Sequence, residues 1–323
     1  MKLNQKATVQ ISPTQPFNFD ATFFKPDHFT TDDHIYKKGI RWQTVNWDGK
    51  KVGVKFTNTG TSESPQITMD VYSDSKLDSS YLNSLKDEIV YRYNLRLDLT
   101  AFYKKYRSNK VLRNAIKNLE GMRPGHPSSL YEYLIIGTVL QNALIKRSIQ
   151  MFRNLLKKYG ERLEFDGQEL LCMWDIGRLE SVDEQELRDL KVGYRAKTIK
   201  FVDSQFNCGY VNELEMRDWE VEYQKETLLS LHGVGSATVW YLLFDVFHRF
   251  DVFEHISPWE QKIYSQIFFG RGLDDLASVD ELLGFIDQFG EFKHLAVHYL
   301  WEDLWWRRQG GEHIDWFEKE IRT

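Results

Sequence analysis

The stretch from residue 231 to residue 240 reads LHGVGSATVW, and it constrains the fold of this chain more than any other stretch. Two glycines one residue apart interrupt an apolar pattern, which resumes at once as TVWYLLFDVF. A Gly-Val-Gly turn permits positive φ and removes side chains that would hold a large ligand away from the backbone. It leaves the N–H groups of Gly235, Ser236 and Ala237 unpaired at a helix start, which suits an anion such as phosphate. The alternative is an ordinary turn between two antiparallel helices.

The composition is that of a globular protein. Of 323 residues, 42% are hydrophobic and 28% charged, which suffices for one large core or two modest ones. The best apolar run, YLIIGTVL, is far too short to cross a bilayer, and the N-terminal MKLNQKATVQ lacks the apolar core of a signal peptide. Two cysteines, Cys172 and Cys208, cannot form a disulfide framework or a four-cysteine metal site. We expect a cytoplasmic protein with no membrane contact, no metal and no cofactor.

The net charge of −5 argues against a protein that coats nucleic acid without sequence preference, because such binding depends on neutralising many phosphates. A local basic face on an acidic body remains compatible with this charge. The chain contains 10 Trp, 16 Tyr and 21 Phe. Most of these rings are expected in the core, but aromatic rings are also what a protein stacks against an exposed nucleobase.

The pattern of the chain changes near residue 97. Before it, IRWQTVNWDGKKVGVKFTNTG alternates apolar and polar residues around Trp-Asp-Gly, which predicts a β-hairpin. PQITMDVYSD predicts another strand, and SYLNSLKDEIVYRYNL a helix after it. The sequence therefore predicts an α+β protein, with a small antiparallel β domain with a flanking helix over residues 1–96 and an α-helical domain over 97–323.

The second part shows apolar residues at helical spacing. SLYEYLIIGTVLQNALIKRSIQMFRNLLKKYG carries this spacing and ends at Gly160, where a helix C-cap is expected. No internal repeat or low-complexity segment occurs. Further helices are predicted around 167–174, 183–190, 194–206, 222–231, 236–247, 258–268, 278–288 and 291–308.

Extended further, the opening stretch reads LLSLHGVGSATVWYLLFDVFHRFDVFEHISPWEQKIY. A helix-hairpin-helix, a DVF segment about 15 residues later and then a new helix resemble the DNA glycosylase superfamily named for its helix-hairpin-helix and Gly/Pro…Asp loop. IRWQTVNW is similar to the β-domain signature of the 8-oxoguanine branch, and LKVGYRAKTI to its Gly-Tyr-Arg-Ala block. TVLQNALIKRS falls where the superfamily has a helix N-terminus containing Gln or Asn. FGEFKHLAVHYLWEDLWWR resembles the closing helix of that branch and of the bacterial alkylbase glycosylases.

The resemblance spans nearly the whole chain and implies a fold and a partner. The fold would be an antiparallel β domain of the TATA-binding-protein-like type, followed by an all-α domain whose two helical lobes hold a base pocket between them. The partner would be double-stranded DNA containing a damaged or modified base. An enzyme that acts on a base inside a duplex must rotate the nucleotide out. It needs a clamp on the backbone, which the hairpin supplies without reading sequence, through Gly233, Val234, Gly235, Ser236 and Ala237.

The resemblance also assigns the residues that fill the space left by the flipped base. Asn142, with Gln141 beside it, would enter the stack and bond the widowed base. Tyr194 would wedge into the opposite strand, with Arg195 against it. The alternatives are a polar helix start for Gln141 and Asn142 and a buried, hydrogen-bonded ring for Tyr194.

For the pocket, the resemblance points to Tyr241 and Trp301, whose rings would face the base. Trp301 lies in an aromatic stripe with Trp305 and Trp306, so part of that stripe is expected in the core.

One position departs from the superfamily. Most members have an aspartate that opens the helix after the DVF segment and stabilises the positive charge developing on the sugar. Ser257 occupies that position here, and a serine carries no charge for this electrostatic work. The lyase-competent branch also has a lysine two residues after the second hairpin glycine, where this chain has Ala237. No Schiff base is available there, which predicts a monofunctional enzyme without strand-nicking activity.

Nearby acids are candidates to replace the missing aspartate. SPWE reads as a capping box, with Ser257 as N-cap and the Glu260 carboxylate reaching back to it. Glu254 and His255 precede it in a loop. We expect Glu254 or Glu260 to supply the charge and His255 to assist the water or the leaving base; the alternative is pure capping, with Glu254 in solvent. Asp245 is expected at a helix surface position.

Two functions of different classes follow. The first is a monomeric DNA glycosylase that removes an oxidised or alkylated base. A bulky glucosylated cytosine of phage DNA is a further candidate substrate, because the superfamily includes a phage-defence type. The second is a catalytically inactive reader that binds modified or damaged DNA. A generic helical scaffold would leave the ordered sequence blocks unexplained.

Overall fold

The computed structural model describes residues 1–26 and 31–320. A five-stranded antiparallel sheet comes first, with strand order β1-β5-β4-β3-β2. The predicted hairpin is confirmed, since Asp48 and Gly49 both have positive φ between its two strands. The strands are β1 (Gln5–Ile11), β2 (His34–Lys37), β3 (Ile40–Trp47), β4 (Lys50–Asn58) and β5 (Ile67–Ser73).

One face of this sheet packs on helix α2 (Ser79–Arg92), which follows α1 (Phe19–Phe23) in the chain. Val54 and Met69 of the sheet and Leu85 and Ile89 of α2 are fully buried in one apolar cluster. The alternation of apolar and polar residues along the strands therefore places the apolar side chains on the face that packs against α2, as the sequence predicts.

The other face of the sheet meets a second hairpin, formed by β6 (Glu161–Phe165) and β7 (Gln168–Cys172). The predicted helix over 167–174 is wrong for this reason. Asp166 and Gly167 take the two positive-φ positions of a tight turn, which favours a hairpin over a helix. The Asp166 carboxylate also accepts hydrogen bonds from Trp42 and Tyr72 of the sheet, at 2.7 and 2.8 Å.

Because β6 and β7 come from the second part of the chain and pack on the sheet of the first, the division at residue 96 stays a prediction. The chain is α+β, as predicted. The remaining helices are α3 (Thr100–Tyr106), α4 (Arg113–Asn118), α5 (Leu130–Leu140), α6 (Ile145–Tyr159), α7 (Glu184–Leu187), α8 (Arg195–Asn207), α9 (Glu213–Met216), α10 (Val221–Ser230), α11 (Ser236–Asp245), α12 (Pro258–Phe269), α13 (Val279–Ile286), α14 (Lys293–Gln309) and α15 (Asp315–Glu320).

Most of the other predicted helices are confirmed within a few residues. Two predicted helical stretches differ: the one over 183–190, and the one that ends at Gly160, which consists of α5 and α6. The helix predicted over 183–190 is only one turn, α7, followed by a π-helical turn over Arg188–Val192 in which Lys191 has φ 70°. Gln141 and Asn142 do not open a helix, because α5 ends at Leu140 and α6 begins at Ile145. Within the described parts of the chain, no helix has both the length and the apolar character needed to span a membrane.

Candidate active site

The Gly-Val-Gly turn joins α10 to α11 and lies on the surface. Gly233, Gly235 and Ser236 are exposed, and Val234 and Ala237 are partly so. Gly233 has φ 79°, and a Cβ there would lie 2.6 Å from Thr198 Oγ1. Gly235 has φ −105° and open space where a Cβ would stand. The two glycines therefore have different roles. Gly233 permits the turn and its close packing on Thr198, and Gly235 leaves the backbone open to approach from solvent.

The start of α11 offers unpaired donors to solvent. Among residues 1–26 and 31–320, no side chain caps the helix at Gly235. The described residues provide no acceptor for the N–H groups of Gly235, Ser236 and Ala237. Three such groups at the positive end of a helix are suited to binding an anion.

Gln141 connects this turn to the end of α5. Its Nε2 donates to the Gly233 carbonyl at 2.8 Å, and its own carbonyl accepts a hydrogen bond from the Arg195 guanidinium. Asn142 follows with φ 47°, a conformation that asparagine tolerates better than most residues. Its side chain is exposed, so the turn and the link between α5 and α6 form one surface.

Tyr194 lies beside Asn142, with its hydroxyl 3.5 Å from Asn142 Nδ2. The ring is 55% exposed, so the alternative of a buried tyrosine is wrong. Arg195 is buried, with its guanidinium 4.7 Å from the centre of the Tyr194 ring. It thus supports Tyr194 and Gln141 from inside the protein.

Sequence reasoning missed Leu144 on the same surface. This side chain is 60% exposed and lies two residues after Asn142, as N-cap of α6. The sequence could have indicated it, because an apolar residue next to a residue that is predicted to fill the base stack is suited to contact with bases.

A cavity of about 300 Å³ opens among α5, α11, α12 and α14. Leu140, next to Gln141, lines it, so the cavity adjoins the surface that carries the hairpin. Tyr241, Trp301 and Glu260 are among the residues that line it. Trp301 also packs edge-on against Trp259, with ring centres 5.3 Å apart, so one side of this ring belongs to the core.

Glu260 is buried and held by hydrogen bonds from two helices. Its Oε1 accepts from the Tyr241 hydroxyl at 2.6 Å and faces the Tyr264 hydroxyl at 3.5 Å. Its Oε2 accepts from the Ser257 backbone N–H at 2.8 Å. Among the described residues no cation lies within ion-pair distance of this carboxylate. Desolvation of their hydroxyl groups and the adjacent Glu260 carboxylate raise the pKa of Tyr241 and of Tyr264 well above the ordinary value, so both remain hydrogen-bond donors.

The predicted capping box is confirmed. Ser257 is the N-cap of α12, its Oγ accepts from the Glu260 N–H at 3.3 Å, and Pro258 occupies the first turn. Ser257 thereby fixes the position of the Glu260 carboxylate.

Glu254 and His255 lie outside the lining of this cavity. The Glu254 side chain is 54% exposed and pairs with Lys225 at 3.1 Å. Its charge is therefore compensated by a cation and by water.

Asp245 lines the cavity, so its predicted surface position is wrong. It lies four residues after Tyr241, which places both on one face of α11. Its Oδ2 accepts a hydrogen bond from the Tyr133 hydroxyl at 2.6 Å. Burial raises the pKa of Asp245 from 3.8 to about 6, against the opposing effects of Tyr133 and Lys25. A helical projection from Tyr241 would have found it.

Three histidines face the same cavity: His126, His294 and His298. Burial lowers the pKa of His126 and of His294 to about 3 and that of His298 well below its ordinary range. All three are therefore neutral near pH 7. Within residues 1–26 and 31–320, no group of three or more His, Cys, Asp or Glu side chains is arranged to hold a metal ion.

A larger cavity of about 490 Å³ lies elsewhere, beside the sheet and α2. Trp47, Trp174 and Arg217 are among its lining residues. None of the predicted site residues lines this cavity, and its volume alone does not indicate a catalytic or binding function.

No family model matches the sequence. The chain is 20% identical over 234 residues to a DNA-3-methyladenine glycosylase of Bacillus subtilis (strain 168), an alignment that covers 71% of this chain and 76% of that protein.

Two solved structures are similar over nearly the full length. A 3-methyladenine DNA glycosylase from Archaeoglobus fulgidus superposes with a TM-score of 0.75 at 16% identity, covering 95% of this chain and 100% of that one. A Clostridium acetobutylicum 8-oxoguanine glycosylase/lyase in complex with double-stranded DNA gives a TM-score of 0.68 at 17% identity, covering 97% and 100%.

Proposed function

Because this chain has the fold of the helix-hairpin-helix DNA glycosylases, we propose that it is a DNA glycosylase that flips a damaged or modified base out of the duplex and hydrolyses its N-glycosidic bond. One observation carries this proposal. The buried Glu260 carboxylate, held by hydroxyl and N–H donors, lies in a cavity that adjoins the exposed hairpin.

Glu260 supplies the negative charge that the superfamily places at the position of Ser257. Positive charge develops on the sugar as a glycosidic bond breaks, and a preorganised carboxylate in a water-poor site stabilises it more than it would in water. Glu254 is exposed and paired with Lys225. We therefore assign this role to Glu260 and not to Glu254.

The reaction ends on water. The bond between C1′ and the base nitrogen breaks, the electron pair leaves with the base, and a water oxygen bonds to C1′ while its proton goes to solvent or to the base. Ala237 occupies the position of the lyase lysine and has no amine. No Schiff base forms there, so the product is an abasic site in an uncut strand.

The surface around the hairpin binds the DNA in this proposal. The N–H groups at the start of α11 hold a backbone phosphate. Asn142 and the adjacent Leu144 enter the space left by the base, and Tyr194 contacts the other strand. These side chains are exposed and lie on one surface with the hairpin.

The candidate substrates are an oxidised or alkylated base and a glucosylated cytosine of phage DNA. The first class is suggested by the B. subtilis and A. fulgidus relatives, which are glycosylases of 3-methyladenine, and by the 8-oxoguanine glycosylase/lyase. The second is suggested by the polar lining of the cavity, which includes Asp245, His298 and Glu302, since hydroxyl groups of a sugar need such partners.

The test is a mass-spectrometric screen for bases released from genomic, oxidised, alkylated and phage DNA, with abasic sites and strand breaks measured in parallel. We expect one class of free base, abasic sites in equal amount and no breaks. DNA that is bound in a gel-shift assay without any base release would contradict the proposal and identify a reader of modified DNA.

A further inference from the structure

Two helices, α11 and α14, each present one aromatic ring and one polar side chain to the cavity. On α11, Tyr241 is followed one turn later by Asp245; on α14, His298 precedes Trp301 by one turn. All four residues line the cavity, since residues three or four apart share a helix face. Each helix thus contributes one aromatic ring and one polar group.

Asp245 brings to the cavity wall a carboxylate that has no described cation within ion-pair distance. Its Oδ2 is bonded to Tyr133 at 2.6 Å, while the described residues offer its Oδ1 no hydrogen-bond donor. The nearby cation Lys25 pairs with Glu302, at 3.8 Å. A buried carboxylate without an ion pair costs stability. A cost of this kind at a cavity wall is typical of a binding group.

His298 presents a second unused polar atom. Its side chain is 14% exposed, and the nearest carboxylate oxygen, Glu302 Oε1, is 4.0 Å from Nε2. No hydrogen-bond partner of Nε2 is found among the described residues. Because the imidazole is neutral, one of its nitrogens donates and the other accepts.

We infer that Asp245 and His298 form a polar wall that selects the flipped base by its hydrogen-bonding groups, with Asp245 Oδ1 accepting from an N–H or O–H donor of the base or of its substituent. This inference rests on the proposed function, since it concerns the same cavity. Tyr133 is a positioning residue that fixes the Asp245 carboxylate. The favoured substrates are bases that carry such a donor away from the sugar, and an isosteric base that lacks the donor is rejected because the carboxylate would be left unpaired.

The test compares the full-length protein with Asp245→Asn and with a matched control, Asp303→Asn. Asp303 is a buried carboxylate on the same helix as His298, bonded to Asn118 at 2.8 Å, paired with Arg307 at 3.6 Å and outside the cavity. For the base identified by the screen, we expect kcat/KM to fall on the order of 10- to 100-fold in Asp245→Asn, with a changed ranking among the bases released. We expect Asp303→Asn to keep the parental ranking.

The affinity of the same proteins for each DNA pool is measured in parallel. This measurement tests the inference even if the protein binds DNA without releasing a base. Unchanged kcat/KM and ranking in Asp245→Asn would overturn the inference while base release by the parent supports the proposed function. If no protein releases any base, the proposed function fails. The inference is then decided by binding: equal affinity of parent and Asp245→Asn for every pool overturns it, and loss of the pool preference supports it.

Discussion

The Tyr241 hydroxyl donates a 2.6 Å hydrogen bond to Oε1 of Glu260. This bond joins α11, which starts at the hairpin, to α12, which starts at the Ser257 cap. The Tyr241 ring is 43% exposed and lines the cavity, so the residue that would stack on a flipped base also orients the carboxylate. In the proposed enzyme, binding of the base and placement of the charge would thereby be coupled through one side chain.

Replacing Tyr241 by Phe keeps the ring and removes this bond. We expect kcat for base release to fall about tenfold, in line with the loss of one hydrogen bond to a charged group, because Glu260 is less well oriented. KM should stay within about twofold, since stacking is retained. Single-turnover and steady-state rates separate the two. A rise in KM with unchanged kcat would show that the hydroxyl binds the substrate and does not orient Glu260.

The two hairpin glycines provide a matched pair. Gly233→Ala forces a positive φ on alanine and a contact with Thr198, so the protein should lose about 1–2 kcal/mol of stability. Gly235→Ala meets no strain or contact and should melt as the parent does. It should nevertheless bind duplex DNA several-fold more weakly, because the new methyl group stands beside the phosphate-binding N–H groups. Parental DNA affinity in Gly235→Ala would show that the hairpin is only a turn.

The contribution of Asn142 to base release should increase with the free energy needed to flip the nucleotide out of the duplex. In Asn142→Ala, base release from fully paired duplex should fall about tenfold, because nothing stabilises the gap in the stack. Release from single-stranded DNA should change little, since an unpaired base costs least to extrude. An equal loss on both substrates would place Asn142 in another role.

Asp245 should make the protein less stable as the pH rises. Its pKa is about 6 in the folded protein against 3.8 ordinarily, so between these values the folded state holds a proton that the unfolded state releases. The cost of burying the ionised form is therefore absent near pH 4 and complete above pH 6, with an upper limit of about 3 kcal/mol.

Asp245→Asn removes that cost while its amide oxygen still accepts from Tyr133. The melting temperature of this variant should exceed that of the parent by a few degrees at pH 8 and by almost nothing at pH 4. Comparing the two proteins at each pH cancels the titration of other groups, including His298. A difference independent of pH would mean that the pKa of Asp245 is the same in the folded and the unfolded protein, so that burial does not raise it.

The sequence predicted the elements in which local chemistry and tertiary packing agree. The Trp-Asp-Gly hairpin, the Ser257 capping box and the turn before α11 all depend on a few adjacent residues. The helix over 167–174 failed because Asp166 and Gly167 form a turn that the sheet stabilises through Trp42 and Tyr72. That stabilisation comes from residues about one hundred positions away, which local patterning does not reveal.

The candidate site was predicted only in part. The resemblance supplied Tyr241 and Trp301, and the capping pattern supplied Glu260. Asp245 was assigned to the surface although it shares a helix face with Tyr241, and His298 was missed because its place at the cavity depends on the meeting of α11 and α14, which no local motif encodes. The choice between Glu254 and Glu260 also required coordinates, since it depends on an ion pair with Lys225 and on burial.

If the Glu260 carboxylate stabilises the breaking glycosidic bond, its neutralisation should slow base release, and the single-turnover rates of Glu260→Gln and Glu254→Gln measure this. Glutamine keeps the capping box at position 260, so the folded structure should persist; the charge is lost, and the amide NH2 faces the Tyr241 hydroxyl in place of an acceptor oxygen. We predict a loss of about 10²- to 10³-fold for Glu260→Gln and a change below about twofold for Glu254→Gln. A parental rate in Glu260→Gln, or a large loss in Glu254→Gln alone, would show that Glu260 does not supply the negative charge at the breaking bond.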